Sequence, residues 1–374
     1  MKQAVLVLAV LFPIALAAQE GSPSSARNQS ATPVPAQARI SVAGGEVASE
    51  RTDSTAYAAS DADANSPQQP QTQPSPPSAP VERPRIPGSM VGYIDNPMVE
   101  SQIRVRFEAG FKDNAPDRAE FFYAQCGCNP NGPGPRPGAS NNINFQQLYF
   151  LAEYAPVSRF SVFSEVPIRW IQPQSFLPGT SGIVHGSQTG LPNFSNQSGI
   201  SDVRAGFKLA VTASSNHSLT LQFKAYFPSG DSTQGLGTNH YSVEPSLLYY
   251  QRLSDRWAVE SQIGGWHPIN GSTNSSGADY AGDIFFYGFG PSYQLVNREN
   301  IQFAPVVELF GWHVLGGLQT LPSSDASGIN IVNLKVGART SFGRHNSVYV
   351  GFGQALTHQV WYEHIVRAEY RYSF

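Results

Sequence analysis

Charge is scarce in this chain: Asp, Glu, Lys and Arg make up 14% of its 374 residues and leave a net charge of −3. No basic field is present to attract nucleic acid, so none is expected as a partner. Two cysteines cannot supply a disulfide framework. The hydrophobic content of 40% is low for a helical membrane protein. Past the first residues no apolar run reaches the roughly 18 residues of a spanning helix. A Gly-x-Ser-x-Gly elbow, a His-Glu-x-x-His pair and a phosphate loop are all missing. The eight histidines are scattered. No enzyme activity, catalytic residue, metal or cofactor is therefore expected.

The first residues carry a compartment signal. Lys2 precedes an apolar run from Ala4 to Leu16, and Ala15-Leu16-Ala17 offers a small-x-small cleavage pattern. Residues 1–18 read as a secretory signal peptide with no cysteine directly following the cut. With no spanning helix to follow, a chain that stays in a membrane must do so as a closed barrel, which pairs every backbone group in lipid.

Residues 19–90 form a different stretch, built largely from Pro, Ser, Gln and Ala, as in Ser66-Pro67-Gln68-Gln69-Pro70. It offers too little apolar surface to offset the entropy of ordering and is expected to be a disordered linker. A passive spacer is the plain reading. A segment that contacts the cell wall or enters a barrel lumen is the sharper one.

Residues 91–374 are read as the barrel. Segments of about ten residues alternate apolar and polar side chains between turn residues. Ile103, Val105, Phe107, Ala109 and Phe111 share one face, against Arg104, Arg106 and Glu108. Leu219, Leu221, Phe223, Ala225 and Phe227 oppose Thr220, Gln222, Lys224 and Tyr226 in the same way. The pattern predicts about twelve strands near residues 101–113, 143–155, 159–172, 200–212, 218–228, 241–252, 256–268, 282–295, 300–313, 328–342, 347–356 and 360–374.

Alternation also occurs in soluble sandwiches, and three features separate the two. Short connections (156–158, 213–217, 254–256, 297–300, 343–346) alternate with long ones (114–142, 173–199, 228–240, 270–281, 316–327), as an even-stranded barrel with short periplasmic turns requires. A strand such as Leu219–Phe227, at roughly 3.3 Å per residue and tilted by about 40°, covers on the order of 22 Å, close to an outer-membrane apolar band. Aromatic residues stand near strand ends, with Trp170, Phe227, Trp312 and Tyr362 assigned to a loop-side girdle and Phe160, Trp257, Phe342 and Tyr372 to a turn-side one. Finally, the last strand alternates up to a terminal aromatic through Tyr370, Tyr372 and Phe374. That is similar to the assembly signal of bacterial outer-membrane proteins and implies the outer-membrane assembly machinery as a partner, beside outer-membrane lipid and lipopolysaccharide.

The other register supplies the candidate lumen. The permeation candidates are Arg104, Arg106, Glu108, Glu165, Arg169, Asp202, Arg204, Lys208, Lys224, Glu308, Lys335, Arg339 and Arg367, with Glu153, Glu244, Glu260, Glu363, Glu369 and Arg371 on the same register. Such a set serves either as a charge ladder that fills and rigidifies the interior or as a wet passage whose charges steer solutes. Cys126-Gly127-Cys128 lies in a Gly/Pro/Asn-rich loop and, in an oxidising compartment, would close a small disulfide.

The run Gly199-Ile200-Ser201-Asp202-Val203-Arg204-Ala205-Gly206-Phe207-Lys208 resembles a recurring motif of the outer-membrane barrels named for the meta-pathway of phenol degradation. Pro228-Ser229-Gly230-Asp231 is similar to that family's Pro-Thr-Gly-Asp turn, with Ser229 in place of Thr, and Gly235-Leu236-Gly237-Thr238 and Leu253-Ser254-Asp255-Arg256-Trp257 follow in the same order. The resemblance covers most of residues 100–374. It implies an outer-membrane porin or transporter for aromatic or hydrophobic compounds, and it supplies no catalytic residues. The long Pro-rich stretch departs from the family.

Together these readings predict an all-β, antiparallel, transmembrane up-and-down β-barrel of about twelve strands, preceded by a disordered segment lying in the periplasm. The expected function is an outer-membrane channel or passive transporter for small solutes. The alternatives are a structural barrel anchored by a periplasmic tail and, disfavoured by the shortness of residues 19–87, an autotransporter-like secretion domain. Solute, oligomeric state and pore opening are left open.

Overall fold

The computed structural model describes residues 88–114, 140–176, 183–184, 188–189, 196–271, 273, 276–320 and 323–374. The expected signal peptide, nearly all of the Pro-rich linker, and Cys126 and Cys128 lie outside them. No helix among the described residues is long and apolar enough to cross a membrane.

Twelve strands close into a barrel. In chain order they are β1 (Gln102–Asp113), β2 (Ser140–Val157), β3 (Phe160–Phe176), β4 (Val203–Ala213), β5 (His217–Phe227) and β6 (Tyr241–Arg252). The second half continues with β7 (Trp257–Ile269), β8 (Ile284–Tyr293), β9 (Ile301–Val314), β10 (Asn330–Phe342), β11 (Asn346–Ala355) and β12 (His364–Ser373). Each strand pairs antiparallel with its sequence neighbours, and β1 pairs with β12 from Gln102↔Ser373 to Phe111↔His364, which closes the ring. The Phe374 amide donates to the Ser101 carbonyl at 3.0 Å and extends that seam to the last residue.

Closure removes every edge, and the alternation then sorts side chains by solvent. Leu221, Ile263, Phe289, Val307, Val336 and Val350 stand exposed on the outside, while their chain neighbours Gln222, Gln262, Glu308 and Lys335 are buried inside. A soluble protein does not leave a continuous apolar belt in water. With the strands paired around a closed ring, the belt makes this a membrane-spanning barrel of the outer-membrane type.

Strand positions agree with the alternation to within a few residues, including β6 and β7, whose sequence around 241–268 signals its strands most weakly. The ladder beside β3 is shared by two strands. The loop-side half of β3 pairs with a short strand at Gln197–Ile200, and its turn-side half pairs with β4. The jog falls at Ser201 and Asp202, where the Ser201 amide donates to the Pro167 carbonyl at 2.9 Å. Farther along β4, Gly206 permits a close approach to β5, since a Cβ would stand 2.0 Å from the Phe223 carbonyl oxygen.

Three side chains depart from the expected faces. Trp312 and Tyr362 do not belong to an outer girdle. They pack against Trp361, Phe310 and each other on the inside. The chain bends inward before β12, so residues 360–362 cover the loop-side mouth instead of extending the strand. Glu363 for the same reason is not on the lumen wall, and it pairs with Lys112 at 2.9 Å at the rim.

Candidate functional site

The interior is shared between the wall and residues 88–101, which precede β1. This segment enters from the turn-side end, rises to mid-barrel at Tyr93 and Ile94, and descends to Ser101. Its extended backbone has no strand partner, so its amides need acceptors from side chains. The wall supplies them. Glu260 on β7 accepts from the Met90 amide at 2.9 Å, and Glu308 on β9 accepts from the amides of Gly92, Tyr93 and Ile94, each at 2.9 Å. The Asp95 amide donates to Gln262 at 2.9 Å.

The segment's carbonyls meet the opposite charge. Arg339 on β10 donates to the Met90 and Val91 carbonyls at 3.3 and 2.8 Å, Arg371 on β12 to Ser89 at 3.4 Å, and Arg367 to Gly92. Apolar contact adds to this. Met90, Val91 and Ile94 pack against Phe286, Ala304, Val306 and Phe310. Gly288 and Gly290 on β8 leave the room, since a Cβ on either would crowd Ile94 or Val91 at 2.9–3.2 Å. Tyr93 meets Tyr349 edge-on, with the Arg367 guanidinium 3.9 Å from its centroid and the Lys335 ammonium 4.0 Å away.

Asp95 turns toward the other wall. Its carboxylate accepts from Gln222 at 2.8 Å and pairs with Lys224 at 3.2 Å, and Lys224 also reaches Glu244 at 2.8 Å. Beyond Asp95 the segment leaves an unfilled cavity of about 220 Å³, lined chiefly by β1 to β6 and completed by Trp266, Phe286, Phe310, Lys335 and Arg367 from the rest of the wall. Arg104, Arg106 and Arg204 converge there on Glu165 at 3.3, 3.3 and 3.0 Å. Tyr149 lies between two of them, its ring 4.0 Å from Arg106 and 5.3 Å from Arg204. Lys208 and Glu153 pair at 2.9 Å nearer the turns.

The loop-side mouth is latched by Asp202. Its carboxylate accepts from the Gly230 amide at 3.0 Å and from both the amide and hydroxyl of Thr238 at 2.8 Å, folding residues 228–240 over the lumen. His240 is buried under the same loop, its Nδ1 2.9 Å from the Thr238 carbonyl. Burial pushes its imidazole below the ordinary value, partly offset by the Thr238 carbonyl and by Asp202.

All thirteen permeation candidates face the lumen. Arg104, Arg106, Glu108, Glu165, Arg169, Asp202, Arg204, Lys208, Lys224, Lys335 and Arg367 line the cavity, whereas Glu308 and Arg339 hold the inserted segment. Alternation could not show that residues 88–101 enter the barrel. A small apolar island, Met90-Val91-Gly92-Tyr93-Ile94, directly after the Pro-rich run was the available signal. The aromatic lining by Tyr149, Trp266 and Tyr362 was missed too.

This barrel, with its latched Asp202 and its 228–240 loop, coincides with the sequence run that carried the family resemblance. Residues 173–299 match the family model described as "Putative MetA-pathway of phenol degradation". No curated protein matches the chain in sequence. Among solved structures, an outer membrane channel from Pseudomonas putida F1 is similar at 15% identity and a TM-score of 0.48, covering 74% of this chain and 96% of its own. The KdgM porin is similar at 12% identity and 0.37, covering 73% and 99%. The toluene transporter TodX of Pseudomonas putida is similar at 10% and 0.36, covering 73% and 89%.

Proposed function

We propose that this barrel is an outer-membrane channel or passive transporter for small solutes, narrowed by residues 88–101. One observation carries the reading. The lumen keeps a charged and aromatic cavity that the inserted segment does not fill, whereas a purely structural barrel would gain by packing it. Twelve strands stand between eight, which side chains fill, and sixteen, which leave a wide aqueous channel. The thirteen lumen residues are the proposed permeation set. The family description and the aromatic cavity wall favour aromatic or hydrophobic compounds as cargo. Tyr370, Tyr372 and Phe374 are the proposed assembly signal, and the end of the barrel at which the inserted segment begins, at Gly88, is proposed to face the periplasm.

Single-channel recording of the refolded full chain in a planar bilayer tests the reading. Discrete current steps are expected. Silence from a preparation whose fold is verified by heat-modifiable gel mobility would overturn it in favour of the structural barrel, which the dense bonding of residues 89–97 would then explain.

A further inference from the structure

The lumen carboxylates are outnumbered. Six guanidiniums share three of them: Glu108 serves Arg106 and Arg367, Glu165 serves Arg104, Arg106 and Arg204, and Glu369 serves Arg104, Arg339 and Arg371. On the segment side the surplus is absorbed, because Arg339, Arg367 and Arg371 also donate to carbonyls of residues 89–92. On the cavity side no carbonyl does this. The buried Nε–H groups of Arg104, Arg106 and Arg204, like those of Arg367 and Arg371, donate no hydrogen bond among the described residues, although those of Arg106 and Arg104 lie 3.3 and 3.8 Å from Glu108 and Glu369. Counted over the cavity lining, eight basic side chains face six acidic ones.

Buried cations without enough counter-charge are costly. Salt bridges on one side and aromatic faces on the other lower that cost without removing it. The same cavity is apolar toward the loop-side mouth, where Trp266, Ile284 and Trp312 line it. One end therefore calls for an anion and the other for a flat apolar body.

We propose that this cavity is a binding site for a small aromatic carboxylate. The carboxylate lies at Arg104, Arg106 and Arg204, and the ring lies against Tyr149 and Trp266. Guanidinium forks match a carboxylate in shape and charge, and a ring fits beside aromatic side chains that already stand apart. The proposal deepens the channel reading, in that it rests on solutes reaching the lumen and names their class.

Binding to the refolded full chain in detergent tests it, using Trp fluorescence and calorimetry with benzoate, benzyl alcohol and benzylamine as probes. Saturable benzoate binding is expected, with benzyl alcohol weaker by about tenfold or more and benzylamine weaker still, as the loss of a charge-assisted hydrogen bond implies. Arg204→Gln and, separately, Arg104→Gln should each weaken benzoate by about tenfold while leaving benzyl alcohol unchanged. Two independent variants, each checked by heat-modifiable mobility, keep the test open if one fails to fold. Benzoate that does not bind, that binds no better than benzyl alcohol, or that binds both variants like the parent would overturn the site. Current steps without benzoate binding sink this inference alone, whereas benzoate binding without current sinks the channel and leaves the site standing.

Discussion

A methyl group has no room at Gly92. A Cβ there would stand 2.1 Å from the Tyr349 ring, which is itself fixed between Glu308, Gly337 and Gly351. Gly92→Val should therefore expel the segment at a cost of about 1–3 kcal/mol, the range for overpacking. Glu308→Ala acts from the other partner, leaving three buried amides without their acceptor at roughly 1–3 kcal/mol each. Both changes should accelerate amide hydrogen exchange at residues 90–95 by tenfold or more while leaving the strand amides protected. Unchanged exchange in both variants would mean that the packing of Met90, Val91 and Ile94 suffices to hold the segment. Much of this chemistry was legible beforehand, because a charge between two apolar residues in a strand has only one face to occupy. The partner of each charge was not legible. Glu308 and Arg339 read as permeation residues, but they bind a segment 214 to 249 positions earlier in the chain, and periodicity carries no information about such pairs.

Strands were the most legible elements and the connections the least. Period-two alternation marked β1 and β5 because bilayer and lumen are opposite solvents, so each residue type has a single acceptable register. Residues 360–362 broke the rule because Trp361 and Tyr362 are buried at the mouth, where neither solvent applies. The exterior register predicts that Val336→Arg, on the outer face of β10, costs about 2–4 kcal/mol of folding free energy in bilayers. Denaturant titration of the protein refolded in lipid vesicles would measure this, and a cost near zero would place that face away from lipid. The 228–240 loop makes a pH prediction of its own. Its His240 has a folded pKa below the ordinary value, so the neutral form suits the closed loop. The opened loop takes up the proton more readily, and closure loses stability as pH falls through the ordinary histidine value of about 6.5. Limited proteolysis within 228–240 should speed up between pH 7 and about pH 5.5, and His240→Gln should flatten that profile.

At the scale of the whole molecule, the barrel and the segment inside it are separable. The ring closes through β1 and β12 and through β8 and β9 without any contribution from residues 88–97. Deleting Gly88–Pro97 should leave a heat-modifiable, folded barrel. The electrical consequence has two parts, and they differ in kind. Removing backbone from a narrow lumen widens it, so unit conductance should rise severalfold. Removing the amides that Glu260 and Glu308 accept also returns two carboxylates to the water-filled space, and Arg339 and Arg371 lose their carbonyl partners while keeping Glu369. The deletion also removes Asp95 and leaves Lys224 with Glu244 alone, so the cation surplus of the lumen grows and reversal potential under a salt gradient should move toward anion preference relative to the full chain. A conductance rise without a shift in selectivity would show that the segment acts as a steric filler whose bonded carboxylates are invisible to passing ions. A shift without a rise would show that the cavity along β1 to β6 already sets the width, with the segment lying beside the path.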